Sequence, residues 1–219
     1  MEQILSFLNA LKENNNRDWF EANKKWYQDT KHRFELLVSD LIKHISDFDS
    51  EIGRLTAKDC TFRIYRDVRF SPNKEPFKTN MGAYFSRGGK NSRYAGYYIH
   101  FEPGASFVGG GKWMPEAELL KLIRLEIYHF PEDFLSIINK SDFKTKFGEL
   151  GGEKLKKPPR DFPADFGHIE LLKLKSYTVG ANLPQENLTQ DELIRTVSEA
   201  FRAIHPLIRF LNRALEEGK

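Results

Sequence analysis

Cysteine is almost missing from this 219-residue chain: Cys60 stands alone. A single thiol cannot close an intrachain disulfide or build a cysteine-based zinc site, so nothing in the sequence points to an oxidising compartment. Long hydrophobic runs are missing too. The longest are four residues or fewer, against the ~20 that a membrane-crossing helix needs. The opening stretch, MEQILSFLNALKENNN, lacks the basic segment and small-residue cleavage site of a secretory signal. These absences together predict a soluble, cytoplasmic protein without membrane contact. No G-x-x-x-x-G-K-[ST] or G-x-G-x-x-G pattern occurs, which removes the common nucleotide-binding fingerprints. The six histidines are scattered, so a histidine-rich metal site has no support and no metal ligand is assigned. There is no internal repeat and no low-complexity tail.

What is present is enough apolar material, 40% of the residues, to bury a substantial core. The net charge of +3 is unevenly spread. Residues 54–93 hold ten Lys/Arg against three acids, whereas the rest of the chain holds 24 against 28. Local positive charge favours a binding patch over a generally cationic protein.

Apolar residues at helical spacing, Ile4, Leu5, Leu8 and Leu11, predict a first helix that the run Asn14, Asn15, Asn16 ends. From Arg17 the pattern fits one long helix or two with a kink. At Thr61 the period changes to two. Even positions 62 to 70 are mainly apolar and odd ones mainly charged, which predicts a strand over 61–70 carrying Arg63, Tyr65, Asp67 and Arg69 in a row. GAYFS and the two halves of AGYYIHFEPGASFVGGGKW predict three more strands, with Tyr97, Ile99 and Phe101 on one face and Tyr98, His100 and Glu102 on the other. RGGKNSR reads as a mobile hairpin loop. Helices are expected after Pro115 and Pro131, an irregular crossing over 148–167, and a closing pair of helices divided at Pro206. LLKLKSYTV is open between helix end and strand. The order predicts an α+β fold with a mainly antiparallel central sheet flanked by N-terminal and C-terminal helices. One domain over 1–219 is expected, helical in 1–50, strand-rich in 58–113, and helical with the crossing in 115–219.

The stretch TFRIYRDVRFSPNKEPFKTN concentrates the candidate site. Arg63, Arg66, Arg69, Lys74 and Lys78 face only Asp67 and Glu75. Arg66 falls on the otherwise apolar face and needs a partner, either a carboxylate such as Glu126 or a ligand anion. Lys78, Thr79 and Asn80 lie in a loop entering a strand, where a scaffold can hold binding groups. The three glycines Gly109, Gly110 and Gly111 permit either a loop whose N–H groups gather an anion or a close strand crossing. The expected ligand is a small phosphorylated or carboxylated anion. Arg66 and Lys78 would hold it, Arg63, Arg69, Lys74, Thr79, Asn80 and the glycines would assist, and Tyr65 and Trp113 would pack its organic part. Should the protein be an enzyme, Asp67 or His100 is the candidate acid or base, the histidine needing a carboxylate to orient it. Two other readings stay open: a nucleic-acid-binding module using the basic row with Tyr65, Tyr97 and Tyr98 as stacking platforms, and a structural protein docking an acidic partner. Cofactor and oligomeric state are not specified by the sequence.

NNNRDWFEANKKWY, FRIYRDVRFSPNKEPFKTNMGAYFS, GYYIHFEPGASFVGGGKW and HPLIRFLNRAL together resemble the microbial family of conserved hypothetical proteins called domain of unknown function 2461. The resemblance runs nearly end to end and is looser over 148–175. It implies no activity, cofactor or catalytic residue. It does imply that the signature segments hold the same residues picked out above, from Arg63 to Trp113.

Overall fold

The computed structural model describes residues 1–184 and 188–217; residues 185–187 and 218–219 of the expected helical C-terminal half lie outside them. The chain begins with three helices, α1 (Glu2–Glu13), α2 (Arg17–Ala22) and α3 (Lys24–Ser46). The asparagine run separates the first two, and the Asn16 side chain accepts from the Trp19 N–H, satisfying a donor that the first turn of α2 leaves free. Asn23 breaks the second pattern, so the expected kink is a true gap between α2 and α3. A short helix, α4 (Ala57–Cys60), leads into residues 61–80.

The sheet comes next. Strands β1 (Met81–Ser86), β2 (Gly96–Phe101), β3 (Phe107–Lys112) and β4 (Tyr177–Asn182) lie in the order β1-β2-β3-β4, each antiparallel to its neighbour. Between β3 and β4 run α5 (Ala117–His129), α6 (Pro131–Ile138), α7 (Ser141–Phe147), the irregular crossing and α8 (Ile169–Leu172). LLKLKSYTV therefore holds both a helix end and a strand. The architecture is α+β with an antiparallel sheet, as the element order predicts.

One face of the sheet is buried and the other is open. Ala83, Phe85, Tyr97, Ile99, Phe101 and Val108 are buried beneath α3 and the long helix α9 (Gln190–Glu217). Phe34 meets Phe101, and Phe201 meets both Phe85 and Tyr97, at ring separations of 5.9, 5.7 and 5.2 Å. Burying such rings is the main stabilising term, at ~1.5–3 kcal/mol for each large side chain.

Three expectations need correction. The closing helices are one: α9 continues through Pro206. The proline lies on the exposed side of the helix while Ile204, Leu207 and Ile208 are buried, so packing carries the helix across it.

The three glycines form no loop. They lie within β3, paired to β2 on one side and β4 on the other, so ladder bonds occupy their backbone. Close crossing is the reason for glycine here: a Cβ on Gly110 would stand 2.8 Å from Ile204 Cγ2 of α9.

Residues 61–70 are not a strand. Only isolated bridges, Thr61 with Ala83 and Tyr65 with Phe77, tie them to neighbours. Pro72 and Pro76 deny the returning limb two N–H donors, and Asp67 binds Arg69 two residues on in place of a partner strand.

Candidate functional site

Residues 61–80 form a doubled-back strap along the open face of the sheet. Its fixings are few and specific. Phe62 N donates to Gly82 O, Arg66 N to Pro76 O and Lys78 N to Ile64 O, at 3.1, 2.9 and 2.8 Å. Asn15, from the asparagine run, grips both backbone groups of Phe77, donating to its carbonyl at 3.0 Å and accepting from its N–H at 3.2 Å. The Phe77 ring stacks on Phe20 at 4.0 Å. The N-terminal helices thus hold the strap's apolar side, and Arg63, Arg66, Asp67 and Lys78 are left to line the space above the sheet.

That space is a cavity of about 1100 Å³. Glycine creates much of it. On the open face Gly82 pairs with His100, Gly109 with Tyr98 and Gly180, and Gly111 with Thr178. None of these four glycines sends a side chain into the cavity that they help to line. Phe62, Tyr98, Phe107 and Trp113 add aromatic wall. The volume slightly exceeds the usual small-molecule range of ~300–1000 Å³, so it is far larger than a bare inorganic ion requires.

The strap and the glycine strand therefore face one cleft, which brings Arg63, Arg66, Asp67, Lys78, Asn80, His100, Gly109, Gly110, Gly111 and Trp113 to a single cavity. Tyr65, Arg69, Lys74 and Thr79 are outside its lining. Tyr65 packs on Phe20 and Phe77 at 5.8 and 5.4 Å. Lys74 Nζ donates to Val68 O, and Thr79 Oγ1 to Glu102 Oε1 at 3.5 Å. The expected row of basic groups along one strand face does not form. Arg66 is neither on an apolar strand face nor paired with Glu126: it lies 3.5 Å from Glu75 and donates to Ser71, while Glu126 binds Arg213.

Among the described residues five cations line the cavity, Arg63, Arg66, Lys78, Lys90 and Lys112, with Asp67 and Glu149 as the acids. Asp67 is already engaged: two hydrogen bonds from the Arg69 guanidinium, at 3.0 and 2.7 Å, hold its carboxyl below the usual range. A general base tied in this way is a poor one. Lys112 is satisfied by the carbonyls of Ser92 and Tyr94, and Lys90 Nζ by that of Lys58. Lys78 differs. It is half-buried with no carboxylate in ion-pair reach among the described residues, and its ammonium lies 5.7 Å from the Phe62 ring. Burial, then the nearby Arg63, lowers its pKa.

His100 has the carboxylate that the sequence argument asked for. Its Nε2 is 3.0 Å from Glu102 Oε2 and its Nδ1 is 2.9 Å from Tyr98 Oη. Neither partner was among the expected catalytic residues, although alternation already put all three on one face. Among the described residues no group of three or more His, Cys, Asp or Glu could hold a metal ion, and no helix is long and apolar enough to cross a membrane.

No curated protein and no solved structure matches the chain. The model of one family, described as conserved hypothetical protein, domain of unknown function 2461, matches residues 3–210. The chain belongs to that family.

Proposed function

We propose that this family member binds a small organic anion, phosphorylated or carboxylated, in the cleft between the strap and the open sheet face. Lys78 carries the reading. A half-buried ammonium without a counter-ion is unfavourable by itself, and the lowered pKa expresses that cost. A ligand anion relieves it. Arg63, which also lacks a carboxylate in ion-pair reach among the described residues, supplies a second charge at the same wall. Phe62, Phe107 and Trp113 offer apolar surface for the organic part.

Thermal shift tests this with phosphate, pyrophosphate, adenosine monophosphate, citrate and a single-stranded oligonucleotide, each at low and moderate salt. A ligand at a hundred times its Kd adds ~2.7 kcal/mol, a rise of roughly 5–10 °C for a chain of this size. Lys78→Ala should abolish the shift and Arg69→Ala should keep it. No shift with any small anion overturns the reading. A response to the oligonucleotide alone, falling steeply with salt, replaces it with nucleic-acid binding.

A further inference from the structure

Tyr98, His100 and Glu102 are spaced by two on β2 and its end, so their side chains stand in line on the cleft face. With a neutral ring beside an ionised carboxylate, the hydrogen bonds between them have one sense. An ionised carboxylate only accepts, so His100 Nε2 bears the proton shared with Glu102. Nδ1 of the neutral ring is then the acceptor, and Tyr98 donates to it. Phe107, stacked on the imidazole at 4.8 Å, fixes the ring plane. The row ends at the cavity wall in a phenolic oxygen whose proton already points back toward a base. That is the order nucleophile, base, orienting carboxylate.

Two further features single out Tyr98. Its hydroxyl occupies the place of a missing side chain: a Cβ on Gly82 would stand 2.4 Å from Tyr98 Oη. It also shares the Phe62 ring with Lys78, the phenol ring centre at 6.3 Å and the ammonium at 5.7 Å. Burial, with the Glu102 charge nearby, pushes the phenol up to about 12. The resting group is therefore neutral, and its proton leaves as the new bond forms.

We propose that Tyr98 is a nucleophile toward the phosphorus of a phosphate ester bound in the cleft, with His100 as its base and Glu102 as a positioning residue. A phosphate ester carries negative charge at its reacting centre, which suits Lys78 and Arg63; a neutral carboxylic ester does not. The Tyr98 oxygen bonds to phosphorus as its proton passes to His100 Nδ1. The ester P–O bond breaks, and the departing oxygen takes the proton back from the imidazolium, leaving a phosphorylated tyrosine and a free alcohol. The choice of ester rests on the anion-binding reading; the activation of Tyr98 does not.

Two sulfonyl fluorides separate these claims, because tetrahedral sulfur tests the nucleophile without a known substrate. The full chain is treated with anionic 4-(fluorosulfonyl)benzoate or neutral benzenesulfonyl fluoride, and labelled tyrosines are mapped by mass spectrometry. Tyr98 should react faster than the exposed Tyr65 with both. His100→Gln should slow it about a hundredfold, the scale of general-base assistance, and Glu102→Gln should slow it less. The anionic reagent should be the faster, an advantage lost in Lys78→Ala. Labelling of Tyr98 at the wild-type rate in folded His100→Gln, or in Glu102→Gln should the first variant not fold, overturns the nucleophile. Histidine-dependent labelling with no advantage for the anionic reagent keeps the nucleophile and overturns the phosphate ester.

Discussion

Tyr97 and Tyr98 are neighbours in sequence and belong to opposite sides of the sheet. Each phenol joins a histidine and a carboxylate, but the order of connection differs. On the buried side Tyr97 Oη donates to Asp49 Oδ2 at 2.9 Å, and its oxygen also meets His205 Nδ1 at 2.6 Å. There the acceptor-only carboxylate accepts the phenol's hydrogen bond directly. Burial and then Asp49 raise the Tyr97 pKa far beyond its ordinary value. On the cleft side a histidine stands between phenol and carboxylate. A phenol, an imidazole and a carboxylate thus make a direct phenol–carboxylate bond in one arrangement and, in the row proposed above, a phenol proton aimed at a base in the other.

The largest expected effect breaks the buried arrangement. Tyr97→Phe leaves Asp49 and His205 without their shared hydroxyl in a half-buried setting and should cost ~2–3 kcal/mol, a fall of roughly 5–10 °C in Tm. Tyr98→Phe, at the wall of an open cavity, should cost under ~1 kcal/mol. Equal losses in the two melting curves would erase the contrast.

A smaller effect is carried by pH. Burial, aided by Arg209 and Arg202 and opposed by Asp49, lowers the His205 pKa below its ordinary 6.5. The unfolded chain then takes up that proton before the fold does. Stability from this group is present above pH 6.5 and is lost as pH falls toward the lowered native value. Denaturant melts at ~7.5 and ~5.5 should show the loss, and His205→Gln should show less of it.

Small in stability, and most selective, is Gly82→Ala. The nearest atoms that the new methyl meets are all at the far end of Tyr98, which can shift toward the open cavity, so unfolding should change by about 1 kcal/mol, the low end of overpacking costs. Sulfonyl labelling of Tyr98 should nevertheless drop as it does in His100→Gln, because the hydroxyl is pushed off the imidazole. Retained labelling would separate Tyr98 reactivity from the geometry of the row.

Much of this contrast was legible in the sequence. Alternation assigned Tyr97, Ile99 and Phe101 to one face and Tyr98, His100 and Glu102 to the other, because the side-chain period of a strand is a local property. The same argument failed at 61–70, where alternation exists but no neighbouring strand supplies the ladder and Asp67 is taken by Arg69. Composition left Gly109, Gly110 and Gly111 open between an anion-gathering loop and a close strand crossing. Their place within β3 depends on β2, β4 and α9, which lie far away in the chain. Asn15 was read as part of a helix break, and its grip on Phe77 is 62 residues distant. Contacts of that range have no local signature.

The seating of α9 on β3 also sets a clock for synthesis. Ala95, just before β2, exchanges both its backbone groups with the Asn212 side chain, 117 positions later, and Gly110 awaits Ile204. At ~5–20 residues per second, translation from that glycine to its partner helix takes roughly 5–20 s. Through that interval Phe85, Tyr97 and Val108 have α3 on their side of the sheet but lack the cover that α9 supplies. Apolar surface left open at that stage favours aggregation, and a pause in translation just before α9 would lengthen the exposure.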